Sequence, residues 1–144
     1  MNVLFDTNVV LDVLLDRKPF SAMSSALFAY VEYRKIQGFL CATTITTVYY
    51  LSAKMIGISQ TNDEIRKLLQ LFNIAPVNDF VLKQAISRGF ADFEDAVLHE
   101  SAYCIGLDAI VTRNAADFKL SLISVYTPDE LADILRITFS KTHD

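Results

Sequence analysis

An α/β fold, a parallel sheet with helices on both faces, is predicted by three features of this 144-residue sequence. Short apolar runs of strand length alternate with longer segments whose apolar residues recur at helical spacing. No repeat, linker or low-complexity stretch interrupts that alternation, so residues 1–144 are expected to form one domain. Carboxylates stand where strand-type runs end or the following helices begin, and the C-terminal ends of neighbouring parallel strands converge on one crevice.

The elements follow in order. Asn2 to Phe5 sets Val-Leu-Phe behind a polar residue, the composition of a strand buried on both faces, and Asp6 ends it. Thr7 and Asn8 can cap a helix from Val9 to Leu15, in which Asn8, Asp12 and Asp16 form the only polar stripe. Arg17-Lys18-Pro19 breaks it. Ser21 opens a second helix with Met23, Ala26, Leu27, Tyr30 and Val31 at helical spacing, and Gly38 marks its end. Phe39 to Ala42 is a second strand. Thr43 or Thr44 then caps a helix carrying Ile45, Val48, Tyr49 and Ser52 on one side, which stops at Gly57.

Thr61-Asn62-Asp63-Glu64 has the form of a capping box and starts the next helix. Ile74 to Val77 contains Pro76, which suits an edge strand. Asn78 or Asp79 begins a helix through Ser87, and Asp92 opens another that runs to Ile105 before Gly106. Ala109 to Thr112 and Leu122 to Val125 are the last strands, with a tight turn from Asn114 to Phe118 between them. Thr127-Pro128-Asp129-Glu130 starts the final helix with a capping box and proline at its first position, and the tail after Phe139 is expected to be loose.

A hydrophobic fraction of 52% is high, which favours an oligomer, and the nearly apolar helix Val9 to Leu15 with the amphipathic helix from Ser21 suggests a symmetric homodimer. No stretch approaches the roughly 18 uninterrupted apolar residues that a membrane span needs. The start lacks the basic and long apolar segments of a signal peptide, and Cys41 and Cys104 have no partner at zinc spacing. Two reduced core thiols and a cytoplasmic location are the expectation. A net charge of -4 gives no signature of non-specific nucleic-acid binding, although an enzyme that gathers carboxylates around a metal is made acidic by its own site.

The acidic positions carry the chemistry. Asp92 and Asp95 are three residues apart, so on one helix they share a face and repel unless a cation or guanidinium intervenes. Asp6 arrives at the same sheet edge from the first strand and Asn114 follows a later one. Each has a plainer reading: Asp6 or Asp92 as a helix cap, Asp95 as a favourable charge at a helix N-terminus. Their convergence favours a metal site, and all-oxygen ligands select a hard cation, Mg²⁺ or Mn²⁺, over zinc. His99 is expected to be a solvated helix residue, and His143 sits in the tail. Asp108 belongs to the opposite end of the sheet, Glu94 is expected to point away from the Asp92 and Asp95 face, and Asp12 is near enough for a water-mediated contact.

With Val3-Leu4-Phe5-Asp6-Thr7-Asn8, Asp92-Phe93-Glu94-Asp95-Ala96 and Ile110-Val111-Thr112-Arg113-Asn114 followed by Asp117-Phe118, the chain resembles the PIN domain family. These are metal-dependent ribonucleases that include the VapC-type toxins of bacterial toxin-antitoxin pairs. The resemblance implies an α/β/α sandwich, Mg²⁺ or Mn²⁺ at Asp6, Asp92 and Asp95, cleavage of RNA, and a small antitoxin as partner. Two positions depart from the family pattern. Thr47, before Val48-Tyr49-Tyr50, stands where the family usually has a glutamate, and Asn114 stands where many members have an aspartate. Asp117, one turn later, is either partial compensation or a turn cap.

The expected mechanism is metal-assisted hydrolysis with water oriented by Asp95 or Asp92 and with Asn8, Asn114, Asp117 and Thr47 in support. Arg113 is either a contact to substrate phosphate or a member of a surface ion pair. The competing reading is a PIN-like module that binds RNA or a protein without cleavage, for which Thr47 and Asn114 speak. A phosphohydrolase with Asp6 as nucleophile has little support, because Thr7 and Asn8 follow it where a second aspartate would be required.

Overall fold

The computed structural model describes residues 1–140. In chain order the elements are β1 (Asn2–Phe5), α1 (Thr7–Leu14), α2 (Ser21–Glu32), β2 (Gln37–Cys41), α3 (Ala42–Ile56), α4 (Ile58–Leu71) and β3 (Asn73–Ala75). Then come α5 (Asp79–Ser87), α6 (Phe93–Cys104), β4 (Ala109–Val111), a 3₁₀ turn (Ala115–Phe118), β5 (Ser124–Tyr126) and α7 (Pro128–Ser140). All strand pairings are parallel, in the order β3-β2-β1-β4-β5. The α/β architecture expected from the alternation is therefore the one observed. The chain builds outward from β1 through β2 to β3, then crosses back to place β4 on the other side of β1. That reversal makes the C-terminal ends of β1 and β4 the switch point at which a parallel sheet opens a crevice.

Alternation along β1 sends its side chains into two cores. Val3 and Phe5 pack with Val9, Val10, Leu27, Leu68 and Leu131, whereas Leu4 packs with Ile110, Val81, Val97 and Leu98. Phe5, Phe28 and Phe72 meet edge to face with centroids 5.0 to 5.7 Å apart, a geometry that suits the ring quadrupoles. Val9, Val10 and Leu11 are fully buried in the chain's own core. The apolar character of that helix thus needs no partner subunit. No helix among the described residues is long and apolar enough to cross a membrane.

Several local expectations need correction. The first helix begins at Thr7, two residues early, because Asp6 rather than Thr7 or Asn8 is its cap. Gly38 is not a helix stop but lies inside β2, where a Cβ would meet the Phe72 ring at 2.6 Å. Cys41 occupies the N-cap position of α3 without a side-chain cap hydrogen bond, and Thr44 shares a hydrogen bond with Thr7 at 2.9 Å instead. Thr61 and Glu64 form no capping box. Helix α4 already begins at Ile58, directly after Gly57 at φ 87°, so Thr61 is internal and Glu64 pairs with Lys67. Strand β5 starts at Ser124 rather than Leu122, since the Leu122 amide donates to His99. The box at Thr127 does form, with the Thr127 amide donating to Glu130 at 2.9 Å and the Glu130 amide to Thr127 Oγ1 at 3.2 Å. The strand expected over Ile74 to Val77 spans Asn73–Ala75, stops before Pro76, and sits at the sheet edge. Of the two cysteines expected in the core only Cys41 is buried; Cys104, the last residue of α6, is exposed. The tail from residue 141, including His143, lies outside the described residues.

Candidate metal centre

Asp6 leaves β1 at the switch point. Its Oδ1 accepts from the Thr7 amide and its Oδ2 from Thr112 Oγ1, each at 2.7 Å, while the Asn114 amide donates to Thr112 Oγ1 at 3.1 Å. Residues that follow β1 and β4 are thereby tied together, and the Asp6 carboxylate is oriented from both sides. Thr112 is fully buried and is a site residue that sequence reasoning misses; its place at the end of the predicted strand Ala109 to Thr112 is the available signal.

Helix α6 brings the other acids. Asp92 is its N-cap, with Oδ1 accepting from the Asp95 amide at 3.0 Å, so the capping role read from the sequence is real. It lines the crevice all the same. Around one opening of about 290 Å³ stand the carboxylates Asp6, Asp92, Glu94, Asp95 and Asp117, with Asn8, Thr47 and Asn114, and among the described residues no lysine or arginine lines it. The predicted set is thus brought together, except for Arg113.

Glu94 corrects the expectation that it faces away. Thr47 Oγ1 lies 3.5 Å from Glu94 Oε1, so a carboxylate of α6 stands beside the threonine of α3. The helical-face reasoning fails because Asp92 is not helical: at φ -114° and ψ 125° it is extended backbone, and the spacing rule does not reach across a cap. Arg113 lies outside the crevice. Its Nε is 2.7 Å from Asp12 Oδ2 as an ion pair, and its Nη2 donates to Asp12 Oδ1 at 3.3 Å. Asp12 is fully buried and occupied by Arg113, with Arg17 at 3.8 Å, which removes it from the acidic group as well.

His99 is also corrected. It is fully buried, with Nδ1 2.6 Å from Glu100 Oε2 and Nε2 accepting from the Leu122 amide at 3.0 Å. That places the proton on Nδ1 and leaves no nitrogen free as a ligand. Arg88 closes the network, donating to both oxygens of Glu100 at 3.1 and 2.9 Å.

The electrostatics separate these groups. Burial raises the pKa of Asp95 to about 7, and the charges of Asp6, Asp92, Asp117 and Glu94 add to the effect. Asp6 is also raised, chiefly by burial, against the hydrogen bonds from Thr112 and Thr7. Among the described residues no three acidic, histidine or cysteine side chains close into a finished cation cage. The donor set nevertheless fits a hard divalent cation: its donors are oxygens, its charge is uncompensated, and its most perturbed carboxyl is the one that neighbouring negative charge and burial keep protonated.

Fold and crevice define an α/β domain with an acidic centre at the switch point of a parallel sheet. The family model for the PIN domain matches residues 2–116, and the chain belongs to that family. No curated protein sequence matches the chain. Among solved structures it is similar to FitAcB from Neisseria gonorrhoeae, at 21% identity and TM-score 0.67 over 88% of this chain and 97% of that one. A toxin-antitoxin complex from Klebsiella pneumoniae matches at 23% identity and TM-score 0.67, with the same coverage of both chains. VapC20 of Mycobacterium tuberculosis, a Sarcin-Ricin loop cleaving toxin, matches at 12% identity and TM-score 0.61 over 75% of this chain and 86% of that one. At these identities the likeness speaks for the fold.

Proposed function

We propose that the chain is a metal-dependent endoribonuclease and the toxin of a toxin-antitoxin pair. The observation that carries the reading is the gathering of five carboxylates in one crevice that no basic side chain among the described residues lines. Family membership supports the chemistry, and the toxin-antitoxin complex and the cleaving toxin among the similar folds support the biological setting.

Asp6, Asp92 and Asp95 would hold Mg²⁺ or Mn²⁺. Held there, such a cation would supply Lewis acidity toward a phosphodiester and toward the water that hydrolyses it. Thr112 and the Thr7 amide keep the Asp6 carboxylate fixed, and Asp92 or Asp95 orients the attacking water. Asn8, Asn114, Asp117 and Thr47 support it from the rim. Glu94 joins the set, because it brings the charge that Thr47 lacks relative to the usual family glutamate. A small antitoxin would cover the crevice, and the acidic lining suits a basic side chain of that partner. Exposed Phe80 and Ile86 on α5 with Tyr103 on α6 support a homodimer, and the proposed location is the cytoplasm.

Thr47 and Asn114 favour a second reading, a module that binds RNA or protein without cutting; Glu94 weakens it. Cleavage of a mixed fluorogenic RNA with Mn²⁺, Mg²⁺ or EDTA separates the two, with Asp6→Asn and Asp95→Asn as controls. Metal-dependent cutting lost in both variants is expected. RNA binding without cutting by the folded wild type would leave the second reading.

A further inference from the structure

We infer that the cavity beside the acidic crevice is a nucleobase subsite with a preference for guanine, which rests on the nuclease reading only for the placement of the base next to a cut. The cavity measures about 360 Å³, within the range of small-ligand pockets, and Phe20, Met23, Arg113, Pro128 and Asp129 line it. The two openings have no lining residue in common but meet at consecutive residues of the loop after β4: Arg113 lines this cavity and Asn114 lines the acidic crevice. A strand whose phosphate reached the carboxylates would place a neighbouring base at this opening.

The chemistry of the wall favours a base over a phosphate. Asp12, fully buried, faces the Arg113 guanidinium through both of its oxygens, so the arginine has little uncompensated charge to offer an anion. What remains is a flat surface. The guanidinium carbon stands over the Phe20 ring, 4.0 Å from its centroid, and backs one face of it, while Phe20 as a residue is 41% exposed. Aromatic rings and guanidinium planes are the surfaces on which single-stranded bases stack. Pinning by Asp12 holds this platform in place before any ligand arrives, which lowers the ordering cost of binding.

Asp129 supplies the discrimination. It is an exposed carboxylate on the cavity wall, in the first turn of α7 behind Pro128. A carboxylate only accepts hydrogen bonds, and guanine alone among the four bases presents two adjacent donors, N1–H and the 2-amino group, on its pairing edge. Adenine and cytosine present an acceptor beside their amino group, and uracil one donor between two carbonyls. The Phe20 and Arg113 platform would therefore tolerate any base, and Asp129 would select guanine.

The test has two arms. In EDTA, titration of the full chain with GMP or AMP is followed by NMR. GMP is expected to shift Phe20 and Met23, to show contacts between its H8 proton and the Phe20 ring, and to bind at least about fivefold more tightly than AMP. Asp129→Asn should abolish that preference, and Phe20→Leu, which keeps an apolar side chain without the ring, should weaken both nucleotides about tenfold. Equal GMP and AMP affinities, shifts elsewhere on the surface, or no binding at millimolar nucleotide would overturn the subsite. In Mn²⁺, a randomised RNA pool cut by the wild type should show guanine enriched at one fixed position from the cut, and Asp129→Asn should lose it. Cutting without enrichment overturns the subsite and leaves the nuclease; nucleotide selectivity without cutting overturns the nuclease and leaves the base site.

Discussion

Two sets of charges on the same helix meet opposite fates. At the start of α6, Asp92, Glu94 and Asp95 face a crevice that no basic side chain among the described residues lines, and Asp95 is pushed up to about 7 by burial and by its acidic neighbours. One turn further on, Glu100 is fully buried. Burial works to raise its pKa, but Arg88 and His99 outweigh it and hold the carboxyl below its ordinary value. The difference teaches which acids serve the fold. A carboxylate whose oxygens are filled by a guanidinium and an imidazole is structural; carboxylates that gather without such partners raise the energy of the empty protein and are compensated by something that binds.

The largest effect should come from breaking the satisfied set. Glu100→Ala leaves the Arg88 charge and a buried histidine without their acceptor, and should cost about 3–5 kcal/mol of unfolding free energy, measured in urea. A loss under about 1 kcal/mol would mean that the network is not structural. The opposite sign is expected at the crevice. In EDTA, Asp95→Asn should match or exceed wild-type stability at neutral pH, because it removes a charge that its neighbours repel, yet it should lower metal-dependent cleavage more than roughly 100-fold, beyond the loss typical of residues that only orient a ligand.

The same asymmetry predicts a pH dependence. Folded Asp95 keeps its proton up to about pH 7, whereas the unfolded residue releases it near 3.8. The unfolded state therefore binds fewer protons in that window, and the stability of the metal-free protein should fall as pH rises from about 4 to 7. Melting in EDTA across this range should show the fall in the wild type and a smaller one in Asp95→Asn. Identical slopes would place the titration elsewhere. The smallest effect is expected for Glu94→Gln, a few-fold loss of Mn²⁺ affinity with the fold unchanged, since Glu94 adds charge at the rim.

How much of this could be read in the sequence depended on how local the cause was. Asp6, Asp92 and Asp95 were legible because a parallel α/β alternation brings strand ends and helix starts to one edge, and the crevice lies there. Asn78, Asp92 and Thr127 were legible as caps because their bonds span three residues. His99 was not, for its partners come from three directions: Glu100 beside it, Arg88 of the preceding helix joint through Glu100, and the Leu122 amide beyond β4. Gly38 imitated a helix stop, when what it answers is the Phe72 ring brought over β2 by α4. Arg113 offered a phosphate contact or a surface ion pair, and the ion pair it makes is with Asp12, a buried partner on α1 that nothing local to Arg113 pointed to. Glu94 was misplaced for a geometric reason, since its helix had not yet begun at Asp92.

The most direct test of the crevice as a cation site is calorimetric titration of the full chain with Mn²⁺ at pH 7, in two buffers of different ionisation enthalpy. Saturable binding is expected, with release of roughly half a proton as the cation draws Asp95 into its ionised form, and Asp95→Asn should bind weakly and release none. No heat at millimolar Mn²⁺ from the folded protein, or binding unaffected by Asp95→Asn, would contradict the assignment of these carboxylates to a metal.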